Sequence, residues 1–376
     1  MRKISYITDV RLPTEKAHGI QIMKACEAFA DSGIDVELIV PERENSIKQD
    51  PFDFYGVKRN FSIRKIKSLS TLKFEKIIGP LAYWIQNLIF LLKLRKIDIF
   101  QDTLVYTRSV EVAWYMAQKG LKVAYEAHSW PKSKVWLQKL LLRSVAHIVC
   151  NSKGTEMEYK KAGFNNTLAV SNGVDLRMFS GLSKSTDLLK EINFPEDKKI
   201  VMYTGHLYAW KGVDTIFQTA KLCLNYPQII FVLVGGMHRD VVKYHKIAQT
   251  ENLNNIILIG HKEQKEIPKY LACADVLLLP NVPISVESEK YTSPIKMFEY
   301  MASGKPIVAS NLSSIREILN ENNSILVKPA DAEDLIRGIK EALEKNISPL
   351  VQKAFDDVQN YTWDKRAKKI IQFLNI

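Results

Sequence analysis

The residues best suited to chemistry lie in one stretch, YTSPIKMFEYMASGKPIVAS, from Tyr291 to Ser310. Ser293 is a good N-cap and Pro294 suits the first helical position, while Gly304 is a natural left-handed stop before Pro306 and the apolar run Ile307, Val308, Ala309. The spacing predicts a helix of roughly nine or ten residues feeding a buried strand. Ile295, Phe298 and Ala302 form a packing stripe, and Glu299 falls beside Ile295 on its flank. A carboxylate half-withdrawn there needs donors, which ligand hydroxyls would supply. The free N–H groups after Ser293 would meanwhile present a positive dipole end to an anion. Hydroxyls beside an anion describe a nucleotide sugar. The plainer reading of the same residues is a surface helix on which Glu299 pairs with Lys296.

Three further positions carry chemistry. The strand end YEAHSW puts Glu126 and His128 at the carboxyl edge of a sheet, where open α/β folds bind ligands. The loop GHLYAWKG offers Lys211, a compact charge suited to a diphosphate, or simply a solvated loop lysine. Gly19 opens a helix where a missing side chain lets phosphates approach the backbone, or merely turns the chain. No Asp-x-Asp occurs in the sequence, which argues against a metal-bridged diphosphate.

The elements that must position these residues alternate strand with helix. Strands are predicted over 4–8, 36–40, 104–107, 122–126 and 147–150, and again over 200–204, 229–234, 256–259 and 276–279, each series interrupted by helical patterns. Such alternation implies parallel, doubly wound sheets. The polar, Ser/Lys-rich stretch after Phe179, as far as Leu189, suits a linker.

At 376 residues the chain suits two domains, and 46% hydrophobic with 25% charged residues describes a soluble globular protein. A net charge of +12 points to an anionic partner: nucleic acid, a phosphorylated ligand or an acidic lipid surface. The four cysteines, Cys26, Cys150, Cys223 and Cys273, are far apart and suggest neither a zinc site nor a disulfide framework. The opening strand KISYITDV leaves no room for a leader, so a cytoplasmic location is expected. The apolar stretch 77–92 contains Gly79, Pro80, Gln86 and Asn87 and is shorter than the ~20 residues a bilayer requires, so it reads as a buried or interfacial helix.

The stretch 291–310 resembles the donor-site signature of retaining glycosyltransferases of the GT-B fold, family 4, the "glycosyl transferases group 1" type. Further segments add to this: LAVSNGVDLRMF resembles the interdomain crossing, and LVGG, LIGHKEQKEIPKYLACADVLLLPN and the closing YTWDKRAKKIIQFL match further stretches. The resemblance implies two Rossmann-like domains facing a cleft, residues 1–175 with a returning helix 361–376, and residues 176–360. It implies that KAHGIQ, with Gly19, faces the donor diphosphate and the acceptor, and that His128 contacts the donor sugar. Lys211 would hold the diphosphate beside Gly205, with His206 standing where the family usually has arginine. Gly235 would line the pocket floor, and His261 and Lys262 would border the base. Ser293, Pro294 and Ile295 would face the phosphates, and Glu299 the ribose. A second glutamate eight positions before Glu299 normally touches the sugar; Tyr291 stands there, with Glu287 or Glu289 as substitutes nearby. The resemblance implies no cofactor and no metal, catalysis resting on charge stabilisation at the leaving phosphates. A nucleotide-sugar epimerase of the same fold would need more acid–base groups, and a basic nucleic-acid-binding protein lacks a visible motif.

Finally, PKSKVWLQKLLLRSV predicts a helix from Pro131 with Lys132, Trp136, Lys139 and Arg143 on one outward face and Leu137, Leu140 and Leu141 packing inward. Together with the basic, aromatic segment 61–76, this predicts a peripheral enzyme on an anionic, cytoplasmic membrane face with a lipid-linked glycan acceptor.

Overall fold

Strands β1 (Lys3–Ile7), β2 (Asp35–Glu42), β3 (Ser62–Lys67), β4 (Leu104–Thr107), β5 (Val123–Ala127), β6 (His147–Cys150) and β7 (Thr167–Ala169) build one sheet in a computed structural model of the chain. They run in the order β3-β2-β1-β4-β5-β6-β7, every pairing parallel. A second parallel sheet holds β8 (Lys199–Thr204), β9 (Ile229–Val234), β10 (Ile256–Gly260), β11 (Val276–Leu279), β12 (Ile307–Ser310) and β13 (Ile325–Val327) in the order β10-β9-β8-β11-β12-β13. The structure describes residues 2–71, 79, 81–191, 194 and 197–376.

The chain divides into two compact units, Met1–Ser171 with Trp363–Ile376, and Asn172–Thr362. The second unit takes residues 172–175 because Val174 bridges to Thr362 and its N–H donates to the Tyr361 carbonyl at 2.9 Å. Each sheet winds outward in both directions from its central pair, β1 and β4 in one and β8 and β11 in the other. Strand order reverses there, and the carboxyl ends of such a pair splay to leave a crevice. Their strands are near-continuous apolar runs because helices cover both faces.

Three strands escaped the sequence reading. β3 is a charged edge, SIRKIK, whose alternating cations face solvent, and β7 and β13 are only 3 residues long. Helix Trp363–Leu374 packs in the first unit, with Ala367, Ile370 and Leu374 buried and Lys122 Nζ donating to the Leu374 carbonyl at 2.9 Å.

Several expectations need correcting. The stretch expected to be a linker, after the 3-10 turn Leu176–Phe179, runs into a helix, Thr186–Glu191, whose Leu188 and Leu189 pack on the core of the second unit. Its polar composition hid a few apolar anchors. The helix expected from Pro131 starts at Val135, because Lys134 adopts a left-handed conformation (φ 55°). Lys132 therefore precedes it, and Leu140, expected to pack inward, is exposed. The basic segment is described only as far as residue 71; 72–76, and residues 77, 78 and 80 of the apolar stretch, lie outside the described residues. Helix Leu81–Leu94 follows, and no helix among the described residues is long and apolar enough to cross a membrane.

Candidate functional site

At the carboxyl end of β8 the backbone turns at Gly205 (φ 119°), a conformation that favours glycine. Gly235, at the end of β9, has φ 124°, and a Cβ there would collide with the Gly205 carbonyl. The two glycines thus let adjacent strand ends close on one another and leave the space beyond Gly205 open to side chains from elsewhere.

Those side chains come from helix Ile295–Ala302. Pro294 occupies its N-cap position, and the Ser293 hydroxyl accepts from the Asn172 N–H at 3.2 Å instead of capping the helix. Ser293 as N-cap is therefore corrected: its oxygen is spent on the incoming chain. The helix is also shorter than expected and buried on almost every side, with Ile295 only half-buried. Tyr300 fixes it to β8, its hydroxyl accepting from the Thr204 N–H at 2.9 Å.

Burial gives this helix its chemistry. Lys296 Nζ donates to the Thr204 carbonyl at 2.9 Å and lies 3.6 Å from the centroid of the Tyr203 ring. A Cβ on Gly205 would stand 3.5 Å from the same nitrogen, an ordinary contact distance, so Lys296 packs directly against the turn after β8. Glu299, expected to be half-withdrawn, is buried and accepts from Gln264 Nε2. The surface pair Lys296–Glu299 does not form; each turns to a different partner. Lys211, in the 3-10 turn Ala209–Lys211, sits 3.7 Å from the centroid of Trp210. Among the described residues neither Lys211 nor Lys296 has a carboxylate within ion-pair reach.

The electrostatics follow from that exclusion of water. Burial pushes the Lys211 ammonium down to about 7. Burial, then repulsion from Lys211, pushes Lys296 well below its ordinary value against the pull of Glu299. Burial raises Glu299 to about 7, although Gln264 and Lys296 both favour its charged form. His206 is lowered by burial and then by His261, Lys211 and Lys296; it stacks on Tyr208, with 4.9 Å between ring centroids. An anion placed here would restore charge to both lysines, and hydroxyls beside Glu299 would favour its carboxylate.

Of the residues named from the sequence, the structure gathers Gly205, His206, Lys211, Gly235, His261 and Glu299 around the end of β8. Lys262 Nζ lies 5.6 Å from the centroid of the Tyr270 ring. Tyr291 is buried at the end of the turn Glu287–Tyr291, which also carries Glu289. The sequence reading missed Lys296 as a site residue, naming it only as a partner for Glu299 in the plainer surface-helix reading. It also missed Gln264 and Asn281; the buried Asn281 amide, after β11, has no hydrogen-bond partner on either atom among the described residues. The signal for Lys296 was a lysine within an otherwise apolar helix stripe.

Gly19 and His128 belong to the first unit. Gly19 is buried in the first turn of helix Ala17–Asp31, and a Cβ there would collide with the Tyr55 hydroxyl, so Tyr55 by itself accounts for the glycine. His128 Nε2 meets Glu126 Oε1 at 2.7 Å, and Arg366 Nη2 donates to the same oxygen at 3.0 Å. Burial would raise the Glu126 carboxyl, but Arg366, His128 and Arg108 hold it well below the usual carboxylate range. Burial and Arg108 push His128 down to about 4 despite Glu126. At neutral pH the imidazole is therefore neutral, Nε2 carries the proton donated to Glu126, and Nδ1 keeps a lone pair for a hydroxyl. Among the described residues no three His, Cys, Asp or Glu side chains gather as a metal site.

The chain resembles known proteins along most of its length. A family profile described as "Glycosyl transferases group 1" matches residues 184–356, and one described as "Glycosyltransferase Family 4" matches residues 19–177. A putative teichuronic acid biosynthesis glycosyltransferase, TuaC of Bacillus subtilis, is 21% identical over 62% of this chain and only 56% of its own length. An uncharacterised 41.2 kDa protein in the cps region of Klebsiella pneumoniae is 24% identical over 81% of each chain. The crystal structure of Anabaena Alr3699/HepE in complex with UDP and glucose superposes with a TM-score of 0.75, at 16% identity and 100% coverage of both chains. That likeness, with the two doubly wound sheets, makes the fold GT-B. The chain belongs to the GT-B glycosyltransferases of family 4, the group 1 glycosyl transferases.

Proposed function

We propose that this protein is a retaining, metal-independent hexosyltransferase that moves a sugar from a UDP- or GDP-sugar to a lipid-linked glycan acceptor in cell-surface polysaccharide synthesis, at the cytoplasmic face of the membrane. The observation that carries the reading is a pair of lysines, half-buried Lys211 and buried Lys296, with no carboxylate in ion-pair reach among the described residues and with Glu299 beside them. Support for the donor comes from the HepE complex with UDP and glucose, and for the pathway from relatives named for teichuronic acid synthesis and the cps region.

In this reading the bond between the anomeric carbon and the leaving diphosphate oxygen breaks while the acceptor hydroxyl bonds to the same face of that carbon. The acceptor proton passes to the departing phosphate oxygen. Negative charge gathers on the diphosphate, and two fixed ammonium groups in a water-poor site stabilise it more than bulk solvent would. The two lysines supply the positive charge that a metal would otherwise bring. Glu299 accepts from the ribose hydroxyls, and the remaining residues expected from the resemblance, Ser293, Pro294, Ile295, His261 and Lys262 among them, flank the nucleotide. His128, neutral, accepts a hydroxyl at Nδ1.

Isothermal titration with UDP, GDP and ADP in the presence of EDTA tests the donor and metal assignments together. One uridine or guanosine diphosphate should bind without metal. Failure of all three to bind, or binding only when a divalent ion is added, would reject the reading; proton NMR of the first-formed product reports the anomer.

A further inference from the structure

Helix Leu81–Leu94, LAYWIQNLIFLLKL, has two unlike faces. Ala82, Gln86, Asn87, Phe90 and Leu94 are buried. On the other side Leu81, Trp84, Ile85, Leu88 and Leu92 recur at helical spacing as one stripe. Each is a large apolar side chain left in solvent, at 62%, 52%, 40%, 56% and 50% exposure. Scattered exposed leucines need no explanation, but a continuous stripe along three turns marks an interaction surface.

What surrounds the stripe selects its occupant. Lys93, Arg95 and Lys96 are exposed at its carboxyl end, and the edge strand β3, whose Ile66 packs against the same core cluster that holds Phe90, exposes Lys65 and Lys67. None of these five is ion-paired among the described residues. From residue 58 to 96 the sequence holds 10 Lys or Arg against one acidic residue, Glu75. A second copy of the chain would bring the same cations against these, and a nucleic acid would leave the apolar stripe without a dry partner. An anionic lipid surface satisfies both features, acyl chains taking the stripe and headgroups the cations. Tyr83 and Trp84 stand where aromatic rings favour the headgroup layer.

The helix also adjoins the crevice end of its sheet. Tyr83 lies close enough to Asp9, after β1, and to Arg43, after β2, for their charges to act on its hydroxyl. Arg43 is anchored by donating to the Asp9 carbonyl at 2.7 Å, and its Nε and Nη2 are buried without partners among the described residues. The apolar stripe is thus one face of an element whose other side borders the sheet edge at which open α/β folds bind ligands.

We propose that helix Leu81–Leu94 lies in the interface of an anionic phospholipid bilayer, its stripe among the acyl chains and its basic rim on the headgroups. This rests on the membrane-bound acceptor proposed above and assigns the contact to this helix. The helix Val135–Leu142, on which the sequence placed it, presents Trp136 on only eight residues.

The test uses the full chain and sedimentation with phosphatidylcholine vesicles, with and without phosphatidylglycerol. Three proteins are compared: wild type, Trp84→Ser/Leu88→Ser/Leu92→Ser, and Trp136→Ser/Lys139→Ala/Arg143→Ala. All six replaced side chains are exposed, and folding is checked by circular dichroism and by unchanged binding of whichever of UDP or GDP the wild type takes. Wild type should pellet only with phosphatidylglycerol, more weakly as salt is raised. The Trp84 variant should bind at least about tenfold more weakly, and the Trp136 variant like wild type. Equal binding by wild type and the Trp84 variant overturns the assignment, as does loss confined to the Trp136 variant, which would leave the membrane reading standing. A wild-type dimer that the Trp84 variant dissociates, with no vesicle binding, also overturns it and makes the stripe a contact between copies. Absence of both UDP and GDP binding in the wild type would instead reject the donor reading, independently of the vesicle result.

Discussion

Arg366 Nη2 donates to Glu126 Oε1 at 3.0 Å across 240 residues of sequence, both side chains being buried. The ion pair ties the last helix to β5 and fixes the carboxylate that orients His128. Removing one partner strands the other charge in a dry site, which costs about 3–5 kcal/mol. Arg366→Ala should therefore lower the urea unfolding midpoint sharply. Adding Glu126→Gln should recover part of the loss, because no buried charge then remains; a double variant no more stable than Arg366→Ala would show that the pair is not what is lost.

The two site lysines should show opposite effects on binding and stability. Lys296→Met and Lys211→Met each remove a charged contact worth ~1.5–3 kcal/mol, so UDP or GDP affinity should fall by roughly one to two decades. The same changes relieve the burial of an ammonium and should raise the melting temperature of the ligand-free protein. Calorimetry and a thermal scan on one preparation check both.

Nucleotide binding should be linked to protons. Lys211, lowered to about 7, is mostly neutral at pH 8, and an anion beside it raises its proton affinity, so binding at pH 8 takes up protons. Glu299, raised to about 7, is mostly protonated at pH 6, and donors from the ribose favour its carboxylate, so it releases protons there. Net uptake should be larger at pH 8 than at pH 6. Titrations in buffers of different ionisation enthalpy measure it, and Lys211→Met should reduce the uptake at pH 8.

The same two groups set a pH dependence of stability without ligand. Glu299 in the folded chain keeps a proton that the unfolded chain loses above 4.5, so its contribution is complete at low pH and is lost as pH rises through about 7. Lys211 loses its proton at about 7 when folded but near 10.5 when unfolded, so stability rises with pH between those values. Glu299→Gln should flatten the acid-side decline and Lys211→Met the alkaline rise, as read from unfolding midpoints across pH.

Gly235→Ala should be poorly tolerated. Its φ of 124° is strained for alanine, and the new Cβ would meet the Gly205 carbonyl. A lower melting temperature and weaker nucleotide binding are expected, whereas Gly33→Ala, strained by its φ of 82° but with nothing for a Cβ to meet, should lower the melting temperature and leave binding unchanged.

The sequence by itself determined the alternation of strands and helices, and with it two parallel, doubly wound sheets, because strand runs such as Ile229–Val234 are apolar on both faces and leave no other environment. It also singled out Glu299, Lys211 and His128 by their places after strands and on a short helix. It could not find β3, whose charged side chains look like a loop until the edge of the sheet supplies a partner for its backbone. Only the tertiary structure decided that Lys296 is a site residue: the sequence offered it only as a surface partner for Glu299, and it becomes buried because the end of β8 covers it, with Nζ donating to the Thr204 carbonyl over the Tyr203 ring. Likewise, the apolar pattern of Leu81–Leu94 could not say which side chains pack and which face solvent. Burial depends on what neighbouring elements cover, and residues distant in the chain, such as Arg366 above Glu126, provide that cover.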